Sequence, residues 1–220
     1  MNPNVTYDML RDFTPVSLMV TTPYVFVVHP STPAQNINEL IALARARPQQ
    51  ILFRSGNSGS APHLCVEIFQ SMTGARMTHV AYKGFTPAPN DLVAGQIQLI
   101  CAATTTLTSL MSTGKLRGLG VTTTKPTSLA PGLRPSARSV PGFEVQGWYG
   151  LFVPAGTPTE IVSRLNTVIA RSLHNPQFQE KFTTLGVEAI DSTPQELGGL
   201  LKSELTKWGK IINATGARME

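Results

Sequence analysis

The run Ser55-Gly56-Asn57-Ser58-Gly59-Ser60-Ala61-Pro62-His63 is the stretch of this chain best suited to chemistry. It stands between an apolar triplet, Ile51-Leu52-Phe53, and the helix-spaced residues Leu64, Val66, Ile68 and Phe69. A Gly/Ser-rich turn from a strand into a helix exposes several backbone N–H groups, and the helix dipole adds about half a positive charge at that end. Together they make an anion site that needs no lysine. Ser58 and Ser60 can add hydroxyl hydrogen bonds, or one of them can simply cap the helix. His63 falls one turn into the helix and is placed to orient the turn rather than to abstract protons.

Catalytic readings of the same residues fit poorly. Gly56-Asn57-Ser58-Gly59-Ser60 nearly matches the nucleophile elbow G-x-S-x-G, but ends in Ser. A triad needs a later acid and His. His79 falls inside a strand-like run and His174 at a helix end. A Ser-dependent esterase is therefore the weaker alternative. The phosphate-loop pattern is absent, because Lys83-Gly84 reverses its order. Four scattered His and two Cys give no metal-ligand spacing, and no cofactor motif is present.

The elements that must position this turn are legible as a rhythm. Strand-like and helix-like runs alternate from about 36 to 123, which predicts a mostly parallel sheet with helices on its faces. Predicted strands end before Ser55, at Tyr82-Lys83-Gly84 and at Cys101-Ala102, so all three loops should share the carboxyl edge, where open sheets bind ligands. Thr104–Thr106 opens another helix from that edge and reads mainly as capping. Two strands, Val16–Val20 and Tyr24–Val28, precede the block, and Trp148–Val153 follows a proline-rich loop at 125–142. Residues 1–29 plus 146–220 are expected to form one partial lobe and 30–145 the other. Thr157 is the expected cap of a helix over Thr159–Leu173, and Thr193 to Glu196 reads as a capping box.

Composition sets the remaining bounds. The 220 residues carry 18 Lys+Arg against 13 Asp+Glu, a net charge of +5, with 41% apolar and 14% charged residues. That apolar share can bury a core and excludes a disordered chain. No stretch approaches the ~20 apolar residues of a membrane span. The basic residues form no run and have no interleaved aromatics, so no nucleic-acid partner is expected. Cys65 and Cys101 each sit in an apolar run and read as buried, unbonded small hydrophobes. Met1-Asn2-Pro3-Asn4-Val5 reads as neither signal peptide nor transit peptide.

Over essentially its whole length the chain resembles the substrate-binding proteins of tripartite tricarboxylate transporters, the Bug or TctC-like family. The markers are Asp12-Phe13-Thr14-Pro15-Val16-Ser17, the Ser55–His63 loop, His79-Val80-Ala81-Tyr82-Lys83-Gly84, Leu92-Val93-Ala94-Gly95-Gln96, Gly114-Lys115-Leu116-Arg117, Pro141-Gly142-Phe143-Glu144-Val145, Trp148-Tyr149-Gly150-Leu151 and Pro154-Ala155-Gly156-Thr157-Pro158. The resemblance implies a two-lobed α/β periplasmic binding protein of type II that closes on a small carboxylate and delivers it to membrane permease subunits, without catalysis. Carried over by position, it implies ligand contacts from Ser55, Asn57, Ser58, Gly59, Ser60 and His63 at the helix start. Tyr82, Lys83 and Gly84 would lie on the facing loop, Ala102 would contact the ligand from the end of its strand, and Trp148 would lie near the hinge and cleft. Two departures stand out. Members have a signal peptide and a further first strand and glycine-rich loop at the N-terminus. Its absence predicts an incomplete first lobe with exposed apolar surface, a route to a homodimer or to a non-binding remnant. Members also commonly have Asp-Asn where this chain has Ala102-Ala103, which favours a plain mono- or dicarboxylate over an amino acid.

Overall fold

The computed structural model describes residues 5–56, 59–80 and 84–215, with side chains of the last helix described as far as Ile212. Asn57, Ser58, Tyr82 and Lys83 lie outside the described residues. The chain divides into two compact units, one holding residues 5–22 and 148–214, the other 23–147. The division falls at 22/23 and 147/148. Tyr24–Val28, expected with the first lobe, therefore belongs to the second unit.

In the second unit the strands are the second half of β1 (Phe13–Val28), β2 (Leu52–Arg54), β3 (Thr78–Val80), β4 (Leu99–Ala103) and β5 (Arg117–Val121), in the order β3-β2-β4-β1-β5. β2 is parallel to β3 and to β4, while β1 is antiparallel to β4 and β5. The predicted parallel arrangement thus holds for four strands, and β1 runs against them. The helices between them are α1 (Ile37–Ala46), α2 (Ala61–Thr73), α3 (Ala88–Val93) and α4 (Thr104–Ser112).

The second half of β1, Tyr24–Val28, is buried on both faces because its residues are apolar without alternation. Val25 and Val27 join Ile100, Ala102, Leu92, Leu107 and Leu116 on one side. Phe26 packs on the other against Phe69 and Phe143, at ring-centroid distances of 4.8 and 5.7 Å. The sequence suggested two strands broken at Thr22-Pro23, yet β1 is continuous. Pro23 falls between the β7 pairing at Val20–Thr21 and the β4 pairing from Tyr24 onward.

Cys65 on α2 and Cys101 on β4 form a disulfide, with Cα atoms 6.4 Å apart. This corrects the expectation of unbonded thiols. Both residues are buried as foreseen, but the fold brings helix and strand together across 36 residues of sequence, a separation that apolar context cannot reveal.

In the other unit the first half of β1 pairs with β6 (Gln146–Pro154) and β7 (Glu188–Ala189), and α5 (Thr159–Leu173), α6 (Pro176–Thr184) and α7 (Pro194–Thr215) complete it. Asn166 on α5 donates from one amide nitrogen to the carbonyls of Val16 and Ser192, at 2.9 and 2.7 Å. α7 starts with the expected capping box: the Glu196 N–H donates to Thr193 Oγ1, and the Thr193 N–H to Glu196 Oε2. Thr157 does not cap α5. Its hydroxyl donates to the Pro154 carbonyl, and Pro158 occupies the cap position. Tyr149, Ile161, Val168 and Leu185 are exposed. No described helix is long and apolar enough to cross a membrane.

Candidate functional site

The loops leaving β2, β3 and β4 do share the carboxyl edge of the second unit's sheet, since the three strands are parallel. The loop after β2 carries Ser55, Gly56, Gly59 and Ser60 into α2. A methyl group on Gly56 would lie 3.6 Å from Phe85 N and 3.8 Å from the Gly84 carbonyl carbon, so the turn after β3 adjoins the turn after β2.

The start of α2 is electrically uncompensated. α1, α3, α5 and α7 each have an acid in the first turn; α2, like α4 and α6, has none. Its first-turn N–H groups have no intrahelical acceptor. Ser60 occupies the cap position with an extended backbone, yet its side chain makes no capping bond. Its Oγ is buried without a hydrogen-bond partner among the described residues. Capping therefore does not account for Ser60. A buried hydroxyl with no partner costs about 1–3 kcal/mol, and an incoming acceptor removes that cost.

A histidine pair underlies the turn. The Gly59 N–H donates to His63 Nδ1 at 3.0 Å, so the neutral ring carries its proton on Nε2, 3.5 Å from Glu67 Oε1. His79 on β3 packs over His63 with centroids 4.1 Å apart and touches Phe53, its register partner on β2. Its Nε2 lies 2.7 Å from Ser55 Oγ, which is fully buried. Burial, reinforced by His63, pushes His79 from 6.5 down to about 4. The ring is thus neutral at pH 7, and contacts link Ser55, His79, His63 and Gly59 in sequence.

This has a consequence for acid stability. The unfolded chain binds a proton at His79 below about pH 6.5, and the folded chain only below about 4. The neutral-ring contribution is fully present above 6.5 and is lost as pH falls to 4. The shift corresponds to about 3 kcal/mol at most, and to about 1–2 kcal/mol after allowance for the ring's partial exposure. Chemical denaturation across pH 7 to 4 should show this loss, with uptake of about one proton on unfolding near pH 5. His79→Gln should flatten that segment of the profile; an unchanged slope contradicts the assignment.

The remaining predicted site residues sit on other elements. Ala102 is 2% exposed, packed in the apolar cluster with Val25 and Leu92. The β-strand period directs it into the core, whereas Ala103 is half-buried at the strand end beside Tyr24. Trp148 stands on β6, in the other unit. The threonines after β4 do not cap α4, whose cap position is Ala103. His79 was not among the expected site residues. The signal available was its place one strand over from Ser55, in a motif already marked by Tyr82-Lys83-Gly84.

The chain is similar to known proteins over almost its whole length. The model of the tripartite tricarboxylate transporter family receptor, TctC, matches residues 1–217. A protein from the tcbD–tcbE intergenic region of Pseudomonas sp. strain P51 is 34% identical over 212 residues, covering 96% of this chain and 63% of that protein. Protein BugT of Bordetella pertussis is 29% identical over 219 residues, covering 99% of this chain and 67% of BugT. The chain thus spans less than two thirds of the length of the Pseudomonas relative. Among solved structures, Rpa4515 of R. palustris with adipate superposes with a TM-score of 0.83 at 34% identity, over 98% of this chain and 72% of that one. The periplasmic binding protein BugD superposes with a TM-score of 0.78 at 30% identity, over 94% and 71%.

Proposed function

The chain belongs to the tripartite tricarboxylate transporter receptor family, and from that premise we propose that it is an extracytoplasmic receptor that captures a small carboxylate for a transporter of that type. The observation that carries the reading is the start of α2, with no first-turn acid and a buried Ser60 hydroxyl lacking a partner. An incoming carboxylate would accept from the first-turn amides and from Ser60 Oγ, and the α2 dipole would favour its charge. His79, neutral at pH 7, packs against His63 beneath the turn. Asn57, Ser58, Tyr82, Lys83 and Gly84 are proposed as further contacts, and the permease subunits as the membrane partner. Ala102 supports the binding strand from inside the core rather than touching the ligand.

A periplasmic location is part of the proposal. BugD is a periplasmic binding protein. The Cys65–Cys101 disulfide supports the same location, because such bonds persist in oxidising compartments.

Adipate, the ligand in the R. palustris structure, is the first compound to test. Binding at a hundredfold excess over Kd stabilises the folded state by about 2.7 kcal/mol, which raises Tm by about 5–10 °C for a chain of this size. Other C4–C6 dicarboxylates and simple monocarboxylates complete the screen. Ser60→Ala should weaken the best ligand about tenfold to a hundredfold, the loss of one bond to a charged group. No Tm shift with any carboxylate at millimolar concentration would count against the receptor reading.

A further inference from the structure

The amino edge of the same sheet holds a cavity of about 470 Å³, lined by Met111, Leu116, Leu129 and Leu133, with Arg117 in its wall. Arg117 is the first residue of β5. It pairs with Val28, which in turn pairs with Leu99 at the beginning of β4. The cavity therefore sits at the opposite end of the strands from the α2 turn, roughly 15 Å away for strands of this length.

Three features make it a built site. First, Arg117 is half-buried and held in place, its Nη1 donating to the carbonyls of Thr32 and Ala34 at 3.2 and 3.3 Å. Second, none of the ion pairs among the described residues involves Arg117, so its permanent charge is uncompensated beside an apolar wall. Third, Gly118 keeps the floor open and the walls close: a methyl group there would come within 2.7 Å of Leu133 and 3.0 Å of the Met111 sulfur. The surrounding field has the matching sign. Residues 23–147 carry ten basic side chains against four acidic ones, Glu39, Glu67, Asp91 and Glu144.

We infer that this cavity binds an amphiphilic monocarboxylate, with the carboxylate on the remaining N–H groups of Arg117 and an aliphatic or aromatic body against Met111, Leu116, Leu129 and Leu133. The volume lies within the usual range for small-molecule pockets and the lining is mostly apolar, which suits a compound with one charged end. A short dicarboxylate does not suit it, because a second charge would be buried without a partner.

Octanoate is the probe, titrated into the full chain and followed by residue-resolved amide NMR. The inference expects saturable shifts at Met111–Gly118 and Leu129–Leu133, persisting in Ser60→Ala. Octanol, with the same tail and no charge, should bind at least tenfold more weakly. Arg117→Gln should lower octanoate affinity at least tenfold. Ser112→Trp, an exposed position at the cavity mouth that leaves Arg117 intact, should abolish these shifts while leaving the melting temperature within a few degrees. No saturable shift, shifts confined to Gly59–His63, or equal affinity in wild type, Arg117→Gln and Ser112→Trp would each overturn the inference.

Discussion

Replacing Cys65 and Cys101 together with alanine should lower stability by about 4 kcal/mol. The bond closes 36 residues of sequence, and loop-closure entropy for that length gives about this value. Both sulfurs lie in fully buried residues, so alanine adds only small cavities, and using the double variant avoids a stranded thiol. For 220 residues the midpoint of thermal unfolding should fall by about 8–16 °C. The effect should extend to the candidate site, because Cys65 is in the second turn of the helix whose first turn is proposed to hold the ligand. Hydrogen exchange at Leu64–Phe69 should accelerate more than at α7. A melting temperature within 2 °C of wild type would contradict a formed disulfide.

Asp91→Ala should cost about 3 kcal/mol. Arg54, at the end of β2, has a side chain with no exposed surface, and its Nη1 bonds the Asp91 carboxylate on α3. Removing one partner of a buried ion pair leaves the other charge in a poor solvent, which typically costs 3–5 kcal/mol. Asp91 is itself 30% exposed, and Arg54 has further interactions, which places the cost at the low end. Arg54→Met combined with Asp91→Ala should cost less than Asp91→Ala alone, since nothing charged is then stranded. Urea denaturation of the single and double variants measures this. A double variant as unstable as the sum of the singles would show that the pair is not coupled. The pair ties β2 to α3 just behind Ser55, so its loss should also loosen the turn into α2.

Much of the second unit was legible because its elements are regular. Ile37, Leu40 and Ala44 keep helical spacing and are the buried residues of α1. Leu64 and Ile68 do the same in α2. β7 was missed because two residues are too short to show any period. Thr157 was misread because a good cap residue also bonds a turn carbonyl three residues back, and Pro158 fills the cap position without donating anything. The disulfide and the His63–His79 stack share one cause: each joins residues from separate elements, Cys65 to Cys101 and α2 to β3, and only register brings them within reach.

Within the candidate site the strand-to-helix turn was legible in the sequence and the facing of Ala102 was not. Gly59, Ser60 and His63 could be read directly, because a strand-to-helix turn has fixed consequences for its amides. Ala102 could not. The side chain's face depends on whether strand register places position 102 or 103 inward, and pairing with Val25 places 102 in the core.

The central claim is that the first turn of α2 receives a carboxylate. Amide chemical shifts recorded while the best carboxylate of the screen is titrated in test it most directly. The account predicts saturable shifts at Gly59, Ser60, Ala61 and His63 with a single Kd, and a Kd weakened about tenfold or more in Ser60→Ala. Binding that leaves those amides unmoved, or that Ser60→Ala does not weaken, would contradict it.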